Sequence, residues 1–522
     1  MKFFDKVKIK TPGYNKFDLS HEVKLSMNMG DLVPTFVKEV VPGDSFRVNS
    51  EIMIRLAPMI APVMHRVNVW THYFYVPYRL IWADWEKFIT GGPDGTDAPI
   101  MPYFNVSTEL ASPLFSSGSL GDYLGLPEIP AGSIVGDGIR ISALWFRAYQ
   151  FIYNEYYRDQ NLSNPVDFSL GSGAINPAGA DAAKLLALRK RAWEKDYLTS
   201  CLPWAQRGPE VLIPIEGDGD VTYKNVSEIY EQDGGVPAQN ATLRTGLSVA
   251  SDLELNSPGT GKARIENIDD VNFTNTSITI NDLRRSNKVQ EWLELAARVG
   301  SRLTEVLRGF FGVTSSDARL QRPEYLGGGK QPVVISEVVS TYQDPEGTGD
   351  PQANMAGHGI SVGNTNRFAR KFEEHGVVIG ITSVLPLTAY QNGISRFFTR
   401  EERFDMYWPQ FANIGEQAVY NHEVYYNPTT TEPKNTFGYQ SRYAEYKYAA
   451  STVHGDFRNS LDYWHMGRKF DDDQVLNEQF VMSDPTSRIF SVTDPDVHKL
   501  YCQIYHRVDA LRPMPYYGTP RL

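Results

Sequence analysis

The chain has 522 residues, of which 41% are hydrophobic and 12% aromatic, so it can bury a large core. Its two cysteines, Cys201 and Cys502, lie far apart in the sequence, which excludes a disulfide scaffold and gives no metal-like spacing. The net charge of -11 argues against a protein that coats nucleic acid with its whole surface, and no apolar run reaches the roughly 18 residues of a membrane-spanning helix.

The first sixteen residues are the most basic part of the chain. They contain five lysines and a single acid, Asp5, for a local charge of +4. Four of these lysines precede the first predicted strand: Lys2, Lys6, Lys8 and Lys10. The pattern predicts a basic N-terminal arm, 1–16; charge alone favours a solvated tail, and an arm on the DNA side of a shell is the alternative interpretation.

Four segments have the composition of β-strands. Residues 46–56 alternate between apolar and polar side chains, which is typical of a strand with one buried face. Residues 66–77 are β-branched and aromatic, and their second half is apolar on both faces, so we expect a central strand. Residues 377–385 and 497–510 are the other two predicted strands. Because sheet partners come from both ends of the chain, the pattern favours a Greek-key or jelly-roll sandwich with long insertions.

Two helices are predicted within the insertions, at residues 141–157 and 282–308, each with an apolar stripe of helical spacing. We expect them to pack on the outside of the sandwich. Residues 161–182 and 341–367 are rich in Gly, Asn, Asp and Pro, and they predict long polar loops.

The motifs that could carry catalysis are weak. Gly359-Ile-Ser-Val-Gly363 has the letters of a nucleophile elbow but lacks the expected strand before it and helix after it. Gly327-Gly-Gly-Lys330 fails the phosphate-loop pattern, because Gln331 stands where Ser or Thr is needed, and a turn is the better interpretation. The histidines form no metal-binding motif. The sequence therefore predicts no enzyme, no metal and no cofactor.

Several motifs occur in a fixed order along most of the chain. They include Arg147-Ala-Tyr149, Asn154-Glu-Tyr-Tyr-Arg-Asp159, and the segments 196–208, 281–284 and 316–329. In these motifs the chain resembles the major capsid proteins of microviruses, the small single-stranded-DNA phages, and most closely the gokushovirus branch. The resemblance implies a mainly β fold, an eight-stranded antiparallel jelly roll with long loop and helix insertions. It also implies self-assembly.

The resemblance further implies a T=1 icosahedral shell around a circular single-stranded DNA genome, located in the virion and assembled in the bacterial cytoplasm. The implied partners are identical subunits, packaged DNA, a small basic DNA-binding peptide, a minor pilot protein and a host receptor, with no membrane insertion. Lys2, Lys6, Lys8 and Lys10 are then the candidates for facing DNA.

The chain divides into four predicted regions: the arm 1–16, strands with a helical insertion at 17–215, an insertion at 216–277, and the remaining helix, loops and strands at 278–522. The insertion carries eleven acids and four bases, for a charge of -7. By the resemblance it forms a protrusion at the threefold axis that meets the host receptor, and an ordinary surface loop is the alternative. Its receptor-facing candidates are Tyr230, Asp233, Asn240, Asp252 and Asn256.

Three aromatic stretches, at 149–157, 403–409 and 439–448, are candidates for contact between subunits, because Tyr, Trp and Arg are enriched at interface centres. Internal packing on the sheet is the alternative. The candidate interface residues are Tyr149, Tyr153, Tyr156, Tyr157, Arg158, Tyr407, Trp408, Tyr443 and Tyr446.

An acidic, aromatic-rich β-sandwich could instead bind or cleave polysaccharide. A cleaving enzyme would need two carboxylates facing each other across a cleft, and the sequence identifies no such pair. A tail fibre, the third possibility, would be expected to contain repeats or a coiled coil, and neither pattern is present.

Overall fold

The computed structural model describes residues 13–106, 114–130, 139–176, 179–212, 279–339, 355–430 and 434–518, with the backbone of four short strands between 218 and 274. The strands are β1 (Asn15–Asp18), β2 (His21–Met27), β3 (Val33–Val40), β4 (Ser45–Leu56), β5 (Val67–Pro77), β6 (Tyr103–Asn105), β7 (Arg140–Ser142), β8 (Asp218–Tyr223), β9 (Tyr230–Glu231), β10 (Ala263–Arg264), β11 (Ile268–Thr274), β12 (Glu324–Val339), β13 (Met355–Lys371), β14 (Gly376–Pro386), β15 (Glu416–Tyr420), β16 (Thr436–Ser441) and β17 (Leu500–Arg512).

The α-helices are α1 (Tyr78–Ile81), α2 (Trp85–Thr90), α3 (Leu120–Leu124), α4 (Leu144–Ile152), α5 (Ala180–Leu186), α6 (Ile280–Val299), α7 (Leu303–Phe311), α8 (Asn421–Val424) and α9 (Glu478–Val481). A π-helical turn, Tyr153–Tyr157, continues α4. Short 3-10 helices cover Arg396–Phe398, Arg403–Asp405, Pro409–Phe411, Ala444–Tyr446, Gly455–Arg458 and Asp462–Trp464.

Eight strands form two antiparallel four-stranded layers, which we call the first and second sheets; they are parts of one continuous hydrogen-bonded sheet that passes from one layer to the other through β12. The first sheet has the order β2-β17-β4-β13, and β1 extends it by pairing with the far end of β17. The second sheet has the order β3-β14-β5-β12. The first four strands of this set, β2 to β5, alternate between the sheets along the chain, and residues 334–339 of β12 also pair with β13. This connectivity is that of the predicted eight-stranded jelly roll.

The four strands predicted from the sequence are all present, at β4, β5, β14 and β17. In β4 the buried and exposed residues alternate along the whole strand, as the pattern predicted. Every residue of β14 is buried, because its two faces are covered by different layers. The inner face packs between the sheets, while Val377, Ile379 and Ile381 pack against the inserted helix.

Glycine-rich segments are where the sequence prediction is wrong. The run 327–330, predicted as a turn, lies inside β12 and pairs with β5. A Cβ on Gly328 would lie 2.1 Å from the carbonyl oxygen of Thr71, so glycine permits a close approach of two backbones. Similarly, residues 355–367, predicted as loop, belong to β13, which is held by backbone hydrogen bonds to strands on both sides.

The core between the sheets joins residues of both. Ile52, Ile54 and Ile504 of the first sheet pack with Val69 and Val384 of the second. Further along, an aromatic group fills the same layer: Phe36, Phe46, Tyr73, Phe368 and Phe372. The two sheets are therefore one packed sandwich.

Helix α4 and its π-helical turn cover the outer face of the second sheet, as predicted for an inserted helix. Leu144, Phe146 and Ile152 form one cluster with Phe74 and Val76. The predicted helix 282–308 is instead two helices. Gly300, with φ of +106°, ends the first, and a Cβ there would lie 2.1 Å from Oε2 of Glu305.

The chain divides into two compact units, Met1–Ala205 with Ala296–Leu522, and Gln206–Leu295. The jelly roll belongs to the first. The second contains the predicted insertion 216–277, of which the structure describes two antiparallel strand pairs, β8 with β11 and β9 with β10. Within the described residues, no helix has both the length and the apolar character needed to cross a bilayer.

Candidate subunit-contact surface

The first of the predicted contact stretches, 149–157, is mostly buried inside the subunit. Tyr149 is 0% exposed, Tyr153 7% and Tyr157 9%. The Tyr149 hydroxyl donates to the Leu32 carbonyl at 2.8 Å and accepts from the backbone N–H of Arg189 at 3.0 Å. The prediction that these three tyrosines contact another subunit is wrong, because their rings already fill the core beneath α4.

Tyr156 and Arg158 are half-buried and have internal partners. The Tyr156 hydroxyl donates to the Pro323 carbonyl at 2.6 Å, and the Arg322 guanidinium lies 4.3 Å from its ring centre. Arg158 donates to the Ser163 carbonyl at 2.6 Å, and burial lowers its pKa. Both side chains therefore stabilise the fold of the subunit.

The second and third predicted stretches meet at the surface. There the structure brings together five exposed rings, which we call the aromatic patch: Phe397, Phe404, Tyr407, Trp408 and Tyr446. Their exposed fractions lie between 40% and 51%. The Tyr407 and Tyr446 ring centres are 6.1 Å apart, and those of Phe397 and Tyr446 5.7 Å. Large aromatic surfaces exposed in one area are typical of interaction sites.

Two short 3-10 helices hold the rings in place. At the first, the Asp405 carboxylate accepts backbone hydrogen bonds from Glu401 and Glu402, each at 2.9 Å, and these bonds lower its pKa. The Trp408 indole N–H donates to the Arg403 carbonyl at 2.9 Å. The backbone N–H of Tyr407 donates to the Tyr446 hydroxyl at 3.3 Å. The patch is thus ordered before any partner arrives, which reduces the entropy cost of association.

A buried ion pair lies beneath the patch. The Arg400 guanidinium is 4.6 Å from the Phe397 ring centre and 4.4 Å from that of Tyr446, and it lies 3.5 Å from the Glu445 carboxylate. The side chains of Arg400 and Glu445 are only 10% and 5% exposed. Gln417 donates a further hydrogen bond to Glu445 at 2.7 Å. These contacts fix the rings from below.

Tyr443 is the one residue of the two stretches that the prediction misplaced. It is 2% exposed, and its backbone has φ of +60°, so its ring points inward and packs against Tyr407 at 5.2 Å. Sequence reasoning also missed Phe397 and Arg400. The signal was present in Arg396-Phe-Phe-Thr-Arg400, where adjacent aromatic residues are enclosed by two arginines.

A cleft of about 1070 Å³ lies elsewhere in the first unit and tests the polysaccharide alternative. Its carboxylates each have a basic partner. Asp159 pairs with Lys195, Glu194 lies 3.3 Å from Lys330, and Asp317 lies 3.3 Å from Arg322. Its remaining acid, Glu305, lies 3.6 Å from Arg302. Each acid among the described lining residues is therefore held by a cation of the same subunit, and no two of them form an unpaired set facing each other across the cleft. Among the described residues no cluster of His, Cys, Asp or Glu could hold a metal ion.

The other predicted site residues lie outside the described residues. Lys2, Lys6, Lys8 and Lys10 precede residue 13, and Asp233, Asn240, Asp252 and Asn256 fall in the gaps of the second unit. Tyr230 is placed by its backbone alone, in β9 opposite Arg264. The roles proposed for these residues stay predictions.

A jelly-roll sandwich with an ordered, exposed aromatic patch defines a class of protein, the β-sandwich subunit of a larger assembly. Comparison with known proteins supplies the family. The family model described as capsid protein (F protein) matches residues 6–522, and the chain belongs to that family.

The chain matches three capsid proteins along nearly their full length. The chain is 34% identical to capsid protein VP1 of Chlamydia phage 1, over 99% of this chain and 97% of the relative. It is 35% identical to capsid protein VP1 of Bdellovibrio phage phiMH2K, over 97% and 95%. It is 30% identical to capsid protein VP1 of Spiroplasma virus 4, again over 97% and 95%.

These comparisons confirm the resemblance to gokushovirus capsid proteins. The chain is a structural capsid protein of the virion, and it acts with identical subunits in a shell. A capsid protein is a structural component, so the prediction that the chain is not an enzyme is confirmed on the same ground.

Proposed function

We propose that the chain assembles into a T=1 icosahedral shell, with one subunit per asymmetric unit, around a circular single-stranded DNA genome. The observation that carries this proposal is the aromatic patch, an ordered apolar surface that the subunit itself leaves uncovered. A closed shell repeats the same contact at every symmetry-related position, so an interface of modest strength is sufficient.

The patch has the chemistry that such a contact needs. Covering a fully exposed large aromatic side chain contributes about 2 kcal/mol, so covering each of these five half-exposed rings contributes about 1 kcal/mol. Tyr407, Trp408 and Tyr446 supply rigid rings with polar groups at their edges, which suits the centre of an interface. Arg400 is already desolvated beneath them, so its burial adds little further cost on assembly.

We infer that the acidic insertion 216–277 forms the protrusion at the threefold axis and meets the host receptor. Its charge of -7 and its many Gly, Asn, Ser and Thr residues suit a solvated tip. Its place in the second compact unit, which does not include the jelly roll, supports a separate role. Tyr230, Asp233, Asn240, Asp252 and Asn256 are its candidate contacts.

We propose that the basic arm 1–16 faces the packaged DNA through Lys2, Lys6, Lys8 and Lys10. The subunit as a whole is acidic, so most of the phosphate charge needs another source of cations. A small basic DNA-binding peptide fills that role, and a minor pilot protein completes the particle. Assembly takes place in the bacterial cytoplasm, where two buried free thiols, Cys201 and Cys502, stay reduced.

Expression of the full chain followed by electron microscopy and sedimentation tests the proposal. The expected products are closed hollow or filled shells of uniform diameter, with a mass that corresponds to one subunit per asymmetric unit. Stable monomers, rods or larger shells with several subunits per asymmetric unit would contradict it.

A further inference from the structure

The outer faces of the two sheets differ in what covers them. The second sheet is covered by α4 and its surroundings, so Phe74, Val377 and Ile379 are buried on the outer side. The outer face of the first sheet is open over the described residues, and it carries charged and aromatic side chains beside a few exposed apolar ones such as Val362 and Leu511. Along β17, Tyr501, Tyr505 and Arg507 are exposed, and they share this face because side chains alternate along a strand.

Three arginines of this open face meet across neighbouring strands. Asn49 of β4 lies between Arg367 of β13 and Arg507 of β17, directly opposite both in the strand register. Arg47 stands in the next row. Together with Asp509 these side chains line a shallow concavity of about 630 Å³. No ion pair holds any of the three arginines within the described part of the chain.

Two acids on this face are paired with lysines. Asp509, the acid of the concavity, lies 2.8 Å from Lys16, whose ammonium group lowers the pKa of the carboxylate together with Arg507. Glu22 lies 3.5 Å from Lys24. Two further acids have no ion pair in the described residues: Asp18, which opposes Asp509 in the register, and Glu51, which opposes Tyr505. Four arginines without an ion pair outnumber these two acids, so the unpaired charge of the face is positive: Arg47, Arg55, Arg367 and Arg507.

Tyrosine rings lie beside the arginines. Tyr505 is 39% exposed, and it is two residues from Arg507 on the same face of β17. Tyr501, at 48%, continues the row toward Arg55, which it opposes in the register. A sheet face that combines guanidinium groups with exposed rings offers charge to phosphates and stacking surfaces to unpaired bases.

The basic arm reaches the same sheet. β1 is its continuation, and it pairs with β17 from Asn15, opposite Arg512, to Asp18, opposite Asp509. Lys16, the last lysine of the predicted arm, is thus anchored beside the arginine concavity. Its ammonium group adds to the positive charge at this edge of an acidic protein.

We propose that this face, formed by Arg47, Asn49, Arg367, Arg507, Tyr501 and Tyr505, binds the phosphates and bases of single-stranded DNA and faces the interior of the shell. The proposal rests on the proposed function, since it names the surface that contacts the genome. An acidic peptide, such as the insertion of a neighbouring subunit, would also be attracted by the charge. It would make little use of the tyrosines, so the rings favour the nucleic acid.

Fluorescence anisotropy with a labelled oligothymidylate tests the proposal on the full chain before assembly. The triple variant Arg47→Gln, Arg367→Gln, Arg507→Gln removes the arginines and leaves the arm intact. We expect binding to be at least about tenfold weaker. The slope of log affinity against log salt concentration should become shallower by about 2, because each lost phosphate contact on a single strand accounts for about 0.7. The matched control Arg284→Gln, Arg308→Gln, Arg319→Gln changes the net charge equally and should stay within about twofold of the unmodified chain.

Tyr505→Ala supplies an independent test, because it leaves the charge unchanged. We expect about tenfold weaker binding from lost stacking, with an unaltered salt slope. All variants replace exposed side chains, and their melting temperatures report whether the fold is intact.

Unchanged affinity and salt slope in the folded arginine variant would overturn the proposal. The proposal would also be overturned if the arginine variant kept its affinity for the oligonucleotide and lost affinity for a synthetic peptide of residues 216–277. The partner of this face would then be a neighbouring subunit. Failure of the unmodified chain to form shells would instead contradict the proposed function, and the oligonucleotide measurement would still decide which face binds DNA.

Discussion

Two aromatic regions that look alike in sequence have opposite places in the molecule. The segment 149–157, the end of α4 and its π-helical turn, is packed against the second sheet, while Tyr407, Trp408 and Tyr446 lie at the surface. The difference lies in what surrounds the rings. The first segment is helical, and residues distant in the chain cover it on most sides. The second consists of short turns with charged residues between the rings. Composition alone does not separate a core from a contact surface, because the residues that cover each ring come from elsewhere in the fold.

The largest effect is expected when the buried region loses a ring. Tyr149→Ala removes a fully buried side chain and leaves the Leu32 carbonyl and the Arg189 N–H without their partner. We expect a loss of about 4 kcal/mol in the free energy of unfolding, from the cavity and the unpaired groups together. Urea denaturation of the subunit measures this loss of unfolding free energy. A loss below about 1 kcal/mol would contradict the conclusion that the segment 149–157 is part of the core.

A somewhat smaller effect is expected at the arginine of the same helix. Arg147 is 1% exposed and donates to the Ile81 carbonyl at 3.0 Å and the Gly171 carbonyl at 2.9 Å; burial lowers its pKa to about 10. Arg147→Met keeps the apolar length and leaves both carbonyls unpaired, so we expect a loss of about 3 kcal/mol. The control Arg319→Met, at an exposed position, should change stability by less than about 0.5 kcal/mol. Equal effects of the two substitutions would contradict the buried role.

A fall in pH should destabilise the buried region around Tyr157 before it affects the aromatic patch. Burial, aided by the charge of Arg191, lowers the pKa of His72 to about 4 from an ordinary value of 6.5, and the Tyr157 hydroxyl lies 2.8 Å from its Nδ1. Because the folded protein binds this proton more weakly than the unfolded chain, its stability is complete above pH 6.5 and declines as the pH falls toward 4.

We therefore expect His72 to account for about 2 kcal/mol of lost unfolding free energy by about pH 5. His506, whose burial also lowers its pKa to about 4, adds a similar loss. In His72→Gln the loss of unfolding free energy between about pH 6.5 and 5 should be smaller by about 2 kcal/mol than in the unmodified chain. Identical slopes in the variant and the unmodified chain would exclude this origin of acid sensitivity.

Much of the fold could be predicted from the sequence because strand periodicity reports burial directly. β4 alternates and is buried on one face, whereas β14 is apolar throughout and is buried on both. The glycine-rich strands β12 and β13 could not be predicted, because their pairing depends on backbone approach rather than side chains. The end of α6 at Gly300 depends on a left-handed backbone that the apolar stripe around it concealed.

Which of the candidate contact residues are exposed was predicted in part, and their contact with another subunit stays a prediction. Tyr407, Trp408 and Tyr446 are exposed, while Tyr149, Tyr153, Tyr157 and Tyr443 are buried. The buried set could not be separated from the exposed one by sequence, because each ring is covered by residues distant in the chain: Leu32 and Arg189 at Tyr149, and His72 at Tyr157. Arg400 was missed for the same reason, since its partner Glu445 lies 45 residues away.

The central claim is that the buried aromatic region builds the subunit and the aromatic patch builds the shell. Trp408→Ala tests it most directly when the unfolding free energy and the yield of particles are measured side by side. Trp408 is 45% exposed, so the account predicts a loss of less than about 1 kcal/mol in stability, with a fall of about tenfold or more in shells counted by electron microscopy. A normal yield of shells from a folded Trp408→Ala subunit would contradict it.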